Sequence, residues 1–195
     1  FQPGLPTSVG NLSRIERTYT NGGDILTQGI DWFAQYDFVT DFGEWAVGTQ
    51  GTYTHEYDSD DFTTDFGLFL SPGGDFAGEL NNDRQPITPI VDLQGNVFLK
   101  FTRMNHRATL TARYWGEYED ESANSPASDR STIDDMFTVD LTYNVSLMED
   151  SLTANLSVFN MFDIRPPRAQ TDLNYDPYTH SPFGRMVKLG LIYTL

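Results

Sequence analysis

The chain contains no cysteine, so neither a disulfide framework nor a thiolate metal site can form. Positive charge is scarce: 12 Lys and Arg stand against 28 Asp and Glu, a formal net charge of −16. Nucleic-acid binding, which needs a basic footprint, is not expected. No stretch approaches the roughly 18 consecutive apolar residues of a transmembrane helix. With 38% hydrophobic residues and a mean hydropathy of −0.42, the chain would pass for a water-soluble protein. That excludes a helical span only, because a barrel strand shows lipid an apolar side chain at every second residue. His55, His106 and His180 are dispersed, with no second His at ligand spacing, and read as structural or surface residues. Neither a glycine-rich phosphate loop nor a Ser-His-Asp set is present, so no enzyme, metal or cofactor is expected. Phe1 follows no initiating Met, charged n-region or apolar h-region, which reads as an internal piece of a longer chain.

Aromatic and β-branched residues, by contrast, are plentiful: 14 Phe, 10 Tyr and 3 Trp among the 195 residues. Such residues suit a pleated, half-buried surface. From Asp135 to Leu147, Phe137, Val139, Leu141, Tyr143, Val145 and Leu147 alternate with Met136, Thr138, Asp140, Thr142, Asn144 and Ser146. Period two makes a strand with one apolar and one polar face. The pattern recurs at Leu152, Ala154, Leu156 and Val158, and again at Val187, Leu189, Leu191, Tyr193 and Leu195. Upstream it runs through Leu26, Ile30, Trp32, Ala34, Tyr36 and Phe38, then Trp45, Val47, Tyr53 and Tyr57. Val97, Leu99 and Phe101 follow, then Ala108, Leu110, Ala112, Tyr114 and Tyr118; a weaker strand spans residues 12–20. The expected fold is all-β and antiparallel, about eight long meandering strands over residues 12–195, with 1–11 as a leading segment. Soluble strands average about 5–6 residues, whereas a tilted membrane strand needs ~9–11. Strand length therefore favours a transmembrane β-barrel.

Residues 40–43, 103–106 and 148–151 read as tight turns, and long polar loops fall at 58–92, 121–133 and 164–183. The connection Asn21-Gly22-Gly23-Asp24 is the short exception on the long-loop side. Short turns at one end and long loops at the other mark outer-membrane barrels. With the short turns periplasmic, Tyr36, Phe38, Trp45, Phe101 and Tyr193 fall at the inner boundary. Tyr53, Tyr57, Tyr114, Tyr118 and Phe137 fall at the outer one, giving two aromatic girdles. The alternative for these aromatics is the core of a soluble β-sandwich.

Asp31, Asp37, Lys100, Arg107, Arg113, Glu117, Asp140 and Lys188 take the polar parity and would face a lumen, chiefly neutralising one another across strands. Arg113, Trp115 and Glu117 lie towards its upper end and are the candidate ligand contacts. The acidic run Asp58-Ser59-Asp60-Asp61, with Asp65 beyond, could attract Ca²⁺. It lacks the Gly and closing Glu of a Ca²⁺ loop and reads as a solvated loop.

The last third resembles the C-terminal end of TonB-dependent outer-membrane receptors. The resemblance rests on Leu156-Ser157-Val158-Phe159-Asn160-Met161-Phe162-Asp163, on Tyr175-Asp176-Pro177, on Pro182-Phe183-Gly184-Arg185 and on the terminal strand. Gly29-Ile30-Asp31 after Asn21-Gly22-Gly23 also looks like a late strand pair of that family. The end resembles an outer-membrane assembly signal, with Lys188, Gly190, Tyr193 and Leu195, although the family usually finishes in Phe. Gly190 would allow close backbone approach in the closing strand.

The resemblance implies a barrel of about 22 strands with a plugged lumen, of which these would be the last eight or so. It implies an integral protein of the bacterial outer membrane, set in lipid and lipopolysaccharide, that contacts its own plug and, through it, TonB. It also implies import of a scarce, bulky solute. A passive porin and a soluble β-sandwich binding module are the alternatives. The expected outer loops carry Asp58, Asp60, Asp61, Asp65, Asp83, Glu119, Asp120, Glu121 and Asp129 against Arg84, Arg130, Arg165 and Arg168. An acidic mouth repels anionic ligands, which favours a neutral oligosaccharide over a ferric siderophore.

Overall fold

A computed structural model describes residues 23–63, 69–81, 88–120, 131–148 and 151–194. The expected strand at 12–20, Leu195, and the loop charges Asp65, Asp83, Arg84, Glu121, Asp129 and Arg130 lie outside the described residues. Every regular element within them is a β-strand.

Seven strands build one antiparallel meander: β1 (Ile25–Thr40), β2 (Gly43–Ser59), β6 (Leu93–Arg103), β7 (His106–Trp115), β10 (Met136–Leu147), β11 (Leu152–Phe159) and β12 (Met186–Tyr193). Short strands β3 (Phe62–Thr63), β4 (Phe69–Ser71) and β5 (Gly74–Asp75) lie between β2 and β6, and β8 (Tyr118–Asp120) and β9 (Ser131–Ile133) between β7 and β10. Spatial order follows chain order, β1-β2-β6-β7-β10-β11-β12. Among the described residues the sheet is open, bounded by β1 at one edge and β12 at the other.

The three tight turns stand where the punctuation of the sequence puts them. Asp41-Phe42 joins the Thr40↔Gly43 pair, and Met104-Asn105 joins Arg103↔His106. Leu147↔Leu152 closes the third turn, with the Ser151 amide donating to the Met148 carbonyl at 3.1 Å. Thr40 fixes the first: its hydroxyl oxygen accepts from the Phe42 amide (3.3 Å) and from the Trp45 indole (3.1 Å).

Because directly opposed residues share a face, the register can be followed across the whole sheet. Tyr36, Val47, Leu99, Leu110, Leu141, Val158 and Val187 form one transverse row over all seven long strands. No other element among the described residues packs on this face: Tyr36 is 68% exposed and Leu189 78%. Trp32 lies flat across it, and a Cβ on Gly51 would sit 2.2 Å from the Trp32 ring, so glycine is required there. The opposite face carries rows such as Asp37, Ala46, Lys100, Thr109, Thr142, Ser157 and Lys188. Phe33 and Phe98 also point to it; Phe98 is buried beneath the Lys100 ammonium, 4.6 Å from the ring centroid.

At the tight-turn end, Tyr36, Phe38, Trp45 and Phe101 form a chain of ring contacts with centroids 5.8, 6.4 and 4.5 Å apart. At the loop end, Tyr53, Tyr114 and Phe137 stay exposed on the apolar face. Two aromatics expected beside them do not. A register shift at Gln28/Gly29 leaves His55 as the extra residue of β2 and sets Tyr57 opposite Thr27. Tyr57 therefore packs against Phe62 and Phe76 instead. Tyr118 is separated from β7 by Gly116-Glu117, begins β8 and is 2% exposed. A β-bulge and a strand break each cancel the parity that a strict alternation carries forward.

The long connections pack together. Leu80 and Val91 from the first, Tyr118 and Ile133 from the second and Ala169 from the third form one buried cluster. Backbone bonds join the first two: Leu80 to the Glu119 carbonyl (2.9 Å) and Glu119 to the Gly78 carbonyl (2.8 Å).

Candidate functional site

The third long connection, residues 160–185, folds back over the polar face of the sheet. Asn160, with φ 50°, turns the chain out of β11, and its amide nitrogen donates to Asp140 Oδ1 at 2.9 Å. The Asn160 side chain then brackets Ile164, donating to its carbonyl (2.8 Å) and accepting from its amide (2.9 Å). At the far end, the Arg185 amide donates to Asp163 Oδ1 at 2.7 Å. A Cβ on Gly184 would come within 2.1 Å of that same oxygen, so a larger residue there would have to push the Asp163 carboxylate aside. Asn160, Asp163, Gly184 and Arg185, all within the stretches that carry the family resemblance, are thus the clasp that closes the base of this strap.

Beneath the strap, Asp140 on β10 also accepts from Arg113 Nε on β7 at 2.9 Å. One carboxylate therefore ties β7, β10 and the strap together. A charge-assisted hydrogen bond of this kind is about twice as strong as a neutral one. Farther along the strap, Asp176 is fully buried. Its Oδ2 accepts from the Tyr118 hydroxyl (2.9 Å), its Oδ1 from the Tyr178 amide (2.9 Å) and its carbonyl from the His180 amide (3.0 Å). Burial, reinforced by the Asp176 carboxylate, pushes the Tyr118 phenol well above its ordinary range. Tyr118 therefore keeps its proton and serves as a fixed hydrogen-bond donor to Asp176.

His180 is 4% exposed, with its ring 6.0 Å from those of both Trp115 and Tyr118. Burial holds its pKa below the ordinary 6.5, against an opposing pull from Asp176. The imidazole is thus neutral at pH 7. Neither of its ring nitrogens has a hydrogen-bond partner among the described residues.

Two cavities adjoin here. One of about 290 Å³ lies between sheet and strap, lined by Arg113, Trp115, Asp140, His180 and Phe183 among others. The other, of about 340 Å³, opens where the row Phe33, Gln50, Asn96 and Arg113 crosses the sheet. Arg113 and Trp115 line both. The structure thus brings together two of the three candidate ligand contacts. Glu117 is not with them: it follows the end of β7 and lines a separate recess with Glu79, Asp92 and Glu119. Burial raises the pKa of Asp92 there, Asp75 adds to the effect, and His55 opposes it. His180, Asn160 and Phe183 complete the main site; Asn160 and Phe183 lie in the stretches that carry the family resemblance, but nothing in the sequence joins any of the three to Arg113, dozens of residues away.

Among the described residues no group of three His, Asp or Glu converges as metal ligands. In the acidic first loop, Asp61 accepts from the Gly73 amide (2.8 Å) and Asp75 from the amides of Tyr57 (3.0 Å) and Ala77 (3.1 Å). In the assembly-signal-like end, Lys188, Gly190 and Tyr193 lie on β12 opposite Ser157, Asn155 and Leu152. A Cβ on Gly190 would meet Asn155 at an ordinary 3.8 Å, so close approach on the β11 side does not require glycine there.

Compared with known proteins, the chain matches no family model and no curated protein.

Proposed function

We propose that this chain forms the C-terminal part of the wall of an outer-membrane β-barrel of the TonB-dependent transporter type. The observation that carries this reading is the continuous apolar face over seven strands, with aromatics towards both ends of the strands. Water-soluble proteins rarely expose contiguous apolar patches beyond a few hundred Å². A soluble β-sandwich needs a second sheet on this face, and none stands there among the described residues. In lipid the same face is stable where it is, and the backbone of the edges β1 and β12 is satisfied by the rest of the barrel.

On this reading the polar face lines the lumen, and the strap lies inside the mouth rather than out in solvent. A folded-in, clasped strap suits gated import of a bulky solute better than an open porin channel. Plug and TonB contact belong to the remainder of the protein. The acidic residues of the loops favour a neutral solute, an oligosaccharide before a ferric siderophore.

Depth-dependent fluorescence quenching tests the reading. With the full-length protein refolded into vesicles, lipids brominated on the acyl chain should quench Trp32 strongly and Trp45 less. Absence of quenching at both would reject membrane insertion of this face.

A further inference from the structure

We infer that the cavity between the sheet and the strap is a binding site for a neutral, hydroxyl-rich ring, one sugar residue of the imported solute. The inference rests on the transporter reading and goes beyond it in assigning the site and the residues that form it. About 290 Å³ is at the lower end of the ~300–1,000 Å³ of ligand pockets, which sets the size at about one ring.

The charges decide against an anion. Arg113, the cationic side chain among the lining residues, is held by Asp140 at 2.9 Å, so the pair presents no net positive field. The lining nevertheless includes polar side chains that recognise hydroxyls. Thr138, Thr179 and Ser181 line it, with the Ser181 hydroxyl oxygen accepting from the Phe183 amide (3.3 Å) and Thr179 hydrogen-bonded to the Tyr118 phenol. His180 lines the cavity with both ring nitrogens buried and without a partner among the described residues. A buried polar atom without a partner costs about 1–3 kcal/mol. A neutral imidazole offers one donor and one acceptor; both nitrogens are closed off from the cavity as the ring stands, so a turn of the ring would bring one of them to a ligand hydroxyl. Apolar contact comes from Trp115, Phe159 and Phe183, rings on which the C–H face of a sugar can lie. Two elements supply these groups, the sheet and the strap, so a bound ring would fasten one to the other.

Isothermal titration of the full-length protein in detergent with maltose, cellobiose, xylobiose, mannobiose and chitobiose tests the inference, with citrate as an anionic control. At least one disaccharide should bind and citrate should not. Trp115→Ala should weaken binding about tenfold or more, and Trp115→Phe far less. Phe183 is 65% exposed, so Phe183→Ala leaves the fold intact and should also weaken binding. Binding of none of the five, binding indifferent to both alanine variants, or tighter binding of citrate overturns the inference. Vesicle insertion separates the two readings. A protein that inserts yet binds no disaccharide refutes the site alone. One that binds a disaccharide through Trp115 but does not insert refutes the transporter wall and leaves the site standing.

Discussion

The sheet and its loop end treat the same side chains in opposite ways. Along the strands, Leu189 and Leu191 are more than three-quarters exposed, whereas in the loops Phe76 and Ile133 are fully buried. The strands hold their positions through ladders of backbone hydrogen bonds, and their apolar groups wait for an outside solvent. The loops, with little regular ladder, must make a core of their own, as a water-soluble domain does. The contrast teaches that the apolar residues of this chain answer to two environments: protein interior at the loop end and, on the transporter reading, lipid on the apolar face of the sheet.

The largest expected effect probes the loop side. Phe76→Ala should cost the loop cluster about 3–5 kcal/mol, the usual penalty for an emptied aromatic site. Hydrogen exchange of the Phe76 and Gly78 amides should rise sharply, while the amides of β10 and β11 keep their protection. Equal loss in both would mean that loops and sheet are one cooperative unit.

Leu141→Arg probes the sheet side. On the transporter reading it places a charge near mid-bilayer and should cost about 2–4 kcal/mol, read from the urea midpoint of the protein refolded in vesicles. In detergent micelles, where water reaches the side chain more easily, the loss should shrink. An unchanged midpoint in vesicles would show that this face does not meet lipid.

Asp140→Ala works at the junction of the two regions. It removes the carboxylate that accepts from both Arg113 and the Asn160 amide. The cost should be about 1.5–3 kcal/mol, confined to the strap. Limited proteolysis between residues 164 and 183 should accelerate while the strands stay resistant.

The smallest effect is a pH dependence of the strap. His180 in the folded strap binds its proton less readily than the ordinary 6.5, so the unfolded strap takes up more protons. Strap stability should be complete above about pH 6.5 and fall as pH drops through 6.5 towards the lower folded pKa. Exchange of the His180 amide, which donates to the Asp176 carbonyl, should therefore speed up on acidification. His180→Phe should remove that dependence.

Much of the sheet was legible in the sequence because a strand in a meander writes its two faces as strict alternation. Phe137 to Leu147 and the turns at 40–43 and 103–106 follow from period two and local punctuation alone. The clasp residues Asn160, Asp163, Gly184 and Arg185 were visible as a resemblance, but their work as hydrogen-bond partners across more than twenty residues was not. Alternation also misplaced Tyr57 and Tyr118, because a single bulge and a two-residue break reverse or end a parity that no local signal marks.

The sequence by itself therefore determined the seven long strands, most of their polar and apolar faces and the end at which the long loops gather. All of these depend on neighbours within a few residues or on a fixed repeat. Only the tertiary structure decided that the strap folds onto the polar face, that Asp140 joins Arg113 to Asn160, and that His180 reaches Trp115. Those contacts join residues of distant segments, and their energies depend on burial and geometry that no local pattern encodes.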